Sequence, residues 1–143
     1  MDFKRLRASM IDTELACALN YLFRQLSTRF RDRSEEDFKK VLHKQNNFAI
    51  GAFVGHTLIG TASIHFTEDL LEITAAIKNV VTDKHWQRKG TGKKIHEFLL
   101  REAKKRNAKF IELTSRNQRV DALAFYENLG YKETERHYLR LYL

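Results

Sequence analysis

The 143-residue chain contains no proline and one cysteine, and it has no long apolar run. Nor does it show an internal repeat, a low-complexity tract or a Gly/Ser-rich linker, so nothing marks a domain boundary. Such a length fits one domain spanning 1–143. A lone Cys17 excludes an intrachain disulfide, and the lack of any CxxC or Cys/His cluster argues against structural zinc; no metal is expected. Its place in an apolar helical stretch predicts a buried filler. No segment approaches the ~18 apolar residues that a membrane span needs. The polar start Met1-Asp2-Phe3-Lys4-Arg5 also lacks the apolar core of a secretory signal. These absences together predict a cytoplasmic protein with no membrane partner.

What is present is positive charge. Lys and Arg number 26 against 18 Asp and Glu, a formal net charge of +8. That surplus favours anionic partners, and it is densest from Lys84 to Lys109. No RNP, KH or recognition-helix pattern accompanies it, so nucleic acid is not expected. A hydrophobic fraction of 43% is enough for a packed core.

Helix signals open the chain. Ser9 and Asp12 read as a capping-box pair before Leu15, Leu19, Leu22 and Leu26, and Ser34 with Asp37 reads as the start of a shorter helix. Phe48–Val54 and Thr57–Phe66 are rich in β-branched and aromatic residues, and Gly55-His56 between them suits a tight hairpin. Ala75–Thr82 reads as a central strand, followed by a basic loop, a helix from Gly92 to Asn107 and a short strand Phe110–Thr114. Val120–Leu129 reads as a helix that Gly130 closes. In the tail, Leu139, Leu141 and Leu143 alternate with Tyr138, Arg140 and Tyr142, which predicts a half-buried final strand. The order predicts a mixed α/β (α+β) domain with a crossover in its second half.

The segment Val80-Val81-Thr82-Asp83-Lys84-His85-Trp86-Gln87-Arg88-Lys89-Gly90-Thr91-Gly92-Lys93-Lys94 carries the chemistry. A strand enters a glycine-bearing turn and passes straight into a helix. Curled backbone N–H groups and the positive helix end make a nest suited to a pyrophosphate. Two nucleotide-binding patterns fail here. Lys94 stands where the Walker pattern requires Ser or Thr, and Ile95 where the dinucleotide fingerprint requires a third glycine. A basic turn that merely caps a helix is the bland alternative.

Gln87-Arg88-Lys89-Gly90-Thr91-Gly92 resembles the Q/R-x-x-G-x-G/A signature of the Gcn5-related N-acetyltransferases, and Ala122-Leu123-Ala124-Phe125-Tyr126-Glu127-Asn128-Leu129-Gly130-Tyr131 resembles that family's A-x-x-F-Y-E-x-x-G-F/Y block. The resemblance implies a single domain with a mixed, mostly antiparallel sheet, splayed central strands and helices on its faces. It implies an acetyl-CoA-dependent enzyme that acetylates a primary amine of a small molecule, with phosphorylated or phosphonate amines as candidate acceptors. A protein amine as acceptor and a non-catalytic CoA-binding regulator are the alternatives. A homodimer is allowed.

Residue by residue, the resemblance implies that the backbone N–H groups of Arg88, Lys89, Gly90, Thr91, Gly92 and Lys93 hold the CoA pyrophosphate, with Gln87 a further cofactor-binding residue. It also implies that the backbone of Val80 and Val81 pairs with the pantetheine arm and that Tyr126 protonates the departing thiolate. Arg119 stands where many members carry a cofactor-contacting asparagine, with Asn117 two residues earlier as a substitute. Where the family often places a carboxylate near the amine, this chain has Lys78-Asn79, neither of which is an ordinary base at neutral pH. A water route, or Glu72 in the turn before the strand, is then expected to take the proton. Arg24, Arg29, Arg31 and Arg33 form a basic cluster suited to an anionic acceptor or simply to solvent. His43, His56, His65, His85, His96 and His137 lack metal-like spacing and read as surface or turn residues.

Overall fold

The computed structural model describes residues 1–114 and 120–143, with Val120 described in its backbone only. These residues form two compact units, Met1–Leu113 and Thr114–Leu143.

The first unit is built on a five-stranded sheet in simple order: β1 (Asp2–Leu6), β2 (Asn47–Val54), β3 (Thr57–Glu68), β4 (Ile73–Thr82) and β5 (Ile111–Glu112). The first three pairings are antiparallel and β4–β5 is parallel, so the connection between β4 and β5 must cross over. Helix α3 (Thr91–Lys105) makes that crossover. Its Ile95, Leu99 and Ala103 pack on one sheet face against Ile50, Ile64 and Ile77. Helices α1 (Thr13–Leu26) and α2 (Glu35–His43) cover the other face, with Leu19, Leu22 and Phe38 against Ala49, Phe53 and Leu58. β2 is buried from Asn47 to Phe53 because both of its faces are covered.

The capping box expected at Ser34 is present. Ser34 Oγ accepts from Asp37 N–H at 3.1 Å and Asp37 returns the bond to Ser34 N–H at 3.2 Å. The first helix starts later than its sequence suggested. Asp12 is its N-cap, accepting from Leu15 N–H at 2.8 Å, and Ser9 lies in a separate 3-10 turn, Ala8–Met10. Cys17 is exposed, not buried. The neighbouring Ala16 turns to the sheet, and one further residue rotates the chain about 100° around the helix, toward solvent.

β1 gave no strand signal because each of its faces carries one apolar and one basic residue. Phe3 stacks on Phe98 of α3, and Leu6 joins the α1 side. The cation of Lys4 lies over Phe53, and that of Arg5 over Phe48.

The second unit contains helix α4 (Val120–Asn128). Gly130 closes it at φ 99, with Gly130 N–H donating to Glu127 and Tyr131 N–H to Tyr126. This is the paired bonding of a Schellman end. The final strand expected at 138–143 does not form, and Leu139 and Leu141 are 93% and 83% exposed. Alternation prepares a strand, but backbone groups enter a ladder only where a neighbouring edge accepts them.

Candidate cofactor-binding and acceptor site

β3 and β4 stay in register from Glu68–Ile73 to Ser63–Lys78, slip, and resume at Thr61–Val81. Ala62 therefore faces two residues, Asn79 and Val80, in a β-bulge. Asn79 takes φ 58, its side-chain amide donates to Ser63 Oγ, and that hydroxyl donates to the Lys78 carbonyl at 3.1 Å.

On its other edge β4 pairs with β5 only at Ala75–Ile111 and Ala76–Glu112. From Ile77 to Thr82 no strand pairs with that edge among the described residues. The Val81 side chain is buried toward α1 and that of Val80 is packed toward α3. Their backbones are thus held still beside an open edge, where an extended amide-bearing chain can add as a strand.

The loop after β4 is braced from several directions. Asp83 caps a 3-10 turn, Lys84–Trp86, and accepts from the backbone N–H and the ring of His85 at 2.8 and 2.9 Å. Burial opposes ionisation of Asp83. Hydrogen bonds from His85 and Gln25, with the charge of His85, outweigh it and hold the carboxyl below the usual carboxylate range. Gln25 of α1 accepts from Lys84 N–H at 3.0 Å, and Gln87 donates to the Thr82 carbonyl at 3.2 Å. The ammonium of Lys89 lies 5.0 Å from the Trp86 ring centre.

Arg88 at φ 60 and Gly90 at φ 80 are both left-handed, and Gly90 serves as the N-cap of α3 with no side-chain bond. Alternating hand turns successive N–H groups toward one concavity. The first helical bond runs from Lys94 N–H to the Gly90 carbonyl at 3.1 Å. The N–H groups of Thr91, Gly92 and Lys93 therefore point out along the axis. Thr91 is buried and fixes the helix start against β3. A Cβ on Gly60 would lie only 3.4 Å from the Thr91 methyl, so the helix meets the strand at a residue without a side chain.

The structure thus brings Val80, Val81 and Gln87 through Lys93 together at one end of the sheet. Glu72 lies in the β3–β4 turn at the other end, six residues before Lys78, or about 20 Å of extended strand. Tyr126 belongs to the second unit, on the half-buried side of α4 with Ala122 and Leu129. There its ring packs edge-on to Phe125 and Tyr131. Burial, reinforced by Tyr126, pushes the Tyr131 hydroxyl up to about 12. Asn117 and Arg119 lie outside the described residues.

Of the basic cluster, Arg24 is clamped by Asp32 at 2.7 Å and Arg33 stands 4.0 Å from Asp37. Arg29 and Arg31 have no carboxylate partner among the described residues. Two histidines depart from the surface reading: His96 is buried in α3, and His65 is half-buried on β3. No group of three or more His, Cys, Asp or Glu side chains that would hold a metal occurs among the described residues.

The profile of the Acetyltransferase (GNAT) family matches residues 14–131. The chain belongs to the GNAT family. It is 33% identical over 72 residues to the ribosomal protein bS18-alanine N-acetyltransferase of Escherichia coli (strain K12). That alignment covers 50% of this chain and 48% of the relative, so the chain spans about half the length of the curated relatives it matches.

Among solved structures, a transcriptional regulator from Bacillus halodurans C-125 is 26% identical with a TM-score of 0.83, covering 99% of this chain and 100% of that one. An aminoglycoside acetyltransferase from an uncultured soil metagenomic sample is 20% identical with a TM-score of 0.85, covering 99% and 96%. The latter likeness is one of fold alone. No helix among the described residues is long and apolar enough to cross a membrane.

Proposed function

We propose that residues 1–143 work as one cytoplasmic N-acetyltransferase domain that moves the acetyl group of acetyl-CoA to the primary amine of a small molecule. The observation that carries this reading is the open β4 edge leading directly into the left-handed loop and bare N–H groups that begin α3. One end suits an extended pantetheine arm, the other a pyrophosphate. Gln87 braces the loop, and Arg88, Lys89 and Lys93 add charge. Tyr126 serves as the acid for the departing thiolate, and Asn117 as a further cofactor contact. Arg29 and Arg31, free of carboxylate partners among the described residues, suit an acceptor that carries a phosphate or phosphonate.

The likeness to a ribosomal-protein alanine acetyltransferase favours a second acceptor class, the N-terminal amine of a protein. The likeness to a transcriptional regulator favours a CoA-binding role without turnover. Thiol release from acetyl-CoA separates these readings when a panel of amino sugars, aminoalkylphosphonates and alanine-initiated peptides is screened, with product mass checked. Acetylation of phosphorylated small amines above all others is the expected result. Preference for the peptides moves the acceptor to protein, and CoA binding without thiol release removes the enzymatic reading.

A further inference from the structure

The bulge supplies no carboxylate, yet the next residue pair along the same sheet face holds a different proton acceptor. His65 stands opposite Asn47 on β2 and opposite Ala76 on β4. Directly opposed residues of antiparallel strands share a face, with Cβ atoms about 5 Å apart. Asn47 is 93% buried by its 7% exposure, and its Nδ2 donates to the Val41 carbonyl at 3.0 Å. That bond fixes which end of the amide is oxygen. Its Oδ1 is buried and has no hydrogen-bond partner among the described residues. An orphan acceptor of this kind costs about 1–3 kcal/mol, so it calls for a donor.

Charge and distance agree with a role at the reaction centre. An extended arm that starts at the loop and follows the open β4 edge from Thr82 to Lys78 covers about 13 Å of strand, which brings a thioester to the bulge. His65 lies one cross-strand pair beyond, about 7 Å along β3 from Ser63. Strand β3 is two strand spacings, about 10 Å, from a chain added on the open β4 edge, so the imidazole reaches the amine across the sheet face through a short chain of ordered waters. Burial, then Lys78 on β4 and Lys44 after α2, lower the tendency of His65 to hold a proton, and no carboxylate among the described residues opposes them. Asn47 and Ala76 do not titrate, and α1 meets β3 nearer Leu58.

Resting on the acetyl-transfer reading above, we propose that His65 is the general base for the acceptor amine, with Asn47 Oδ1 as the group that orients its ring. The ring N–H is directed to Asn47 Oδ1 through a bridging water, which leaves the other ring nitrogen's lone pair for the amine. The ammonium gives one proton to His65. The neutral nitrogen attacks the thioester carbon, and the C–N bond forms. The C–S bond then breaks with its electron pair on sulfur. The second nitrogen proton passes to that sulfur, which leaves as the free thiol, and His65 returns its proton to solvent. Asn47 is a positioning residue.

The test is kcat against pH for acceptors that span a range of amine pKa, in the wild-type protein and in His65→Gln, with CoA affinity measured alongside by calorimetry. Expected is one acid-side inflection below ~6.5 that stays fixed across acceptors. His65→Gln should lose it and lower kcat by about 10²-fold or more at unchanged CoA affinity. Imidazole should restore turnover to His65→Ala. Asn47→Asp, which keeps an acceptor oxygen but adds charge, should raise the inflection, a shift that a purely structural role does not produce. An inflection that follows the acceptor's own pKa overturns the assignment from wild-type data alone. Unchanged kcat in a folded His65→Gln protein does the same. A wild-type protein that binds CoA but acetylates no amine overturns the transfer reading together with this base.

Discussion

Gly90 and Arg88 hold the same left-handed backbone at very different cost, and the difference can be measured. A Cβ on Gly90 would meet nothing within 4 Å, so a side chain there is opposed by backbone conformation rather than by collision. Gly90→Ala should lower stability by about 1–2 kcal/mol, read as a lower urea midpoint at unchanged m-value. It should also weaken CoA binding, because relief of the strain would re-aim the N–H groups of the loop. On the proposed mechanism, Tyr126 would act at the same scale but in turnover. Tyr126→Phe leaves every phosphate contact in place and should lower kcat by about 10²–10⁴-fold with little change in the KM for acetyl-CoA. Full activity in that variant would reduce Tyr126 to the ring packing it shares with Phe125 and Tyr131.

Elements differ in how local their causes are, and this decides which of them the sequence reveals. The start of α2 is written in four consecutive residues, Ser34 to Asp37, and both bonds of its box form. Ser34→Ala should cost about 1 kcal/mol, seen as a lower thermal midpoint. The 138–143 tail has the alternation of a strand, but pairing depends on an edge far away in sequence, and none is used. β1 shows the converse, a strand whose mixed faces hide it until its partner β2 is known. In sequence His65 reads as a surface residue for a related reason: only the register beside Asn47 gives it significance. The basic loop was legible because strand, turn and helix start are contiguous in the chain. Its bracing by Gln25 was not, since that contact joins residues 59 positions apart.

The Asp83 turn adds a dependence on acid. Its carboxyl titrates below the unfolded value, so its contribution is complete above the ordinary carboxylate range and is lost as pH falls through its own lower value. Asp83→Asn should therefore lower stability near neutrality and flatten the acid limb of a stability-against-pH curve.

At the scale of the whole molecule, a net charge of +8 and a cluster of cations at one sheet end would, on the proposed function, make CoA capture an electrostatic event. CoA affinity should fall as salt is raised, and most of the loss should appear in the association rate. The most direct measurement of the account is a calorimetric titration of CoA into the wild-type protein and into Gly92→Val, with circular dichroism as the check on folding. Gly92 lies in the first turn of α3, where phosphate oxygens must approach bare N–H groups. Wild type should bind, and a folded Gly92→Val protein should bind at least about tenfold more weakly, ~1.4 kcal/mol. Equal affinity in the two proteins, or no heat of CoA binding in the wild type, would contradict the assignment of this loop as the CoA site.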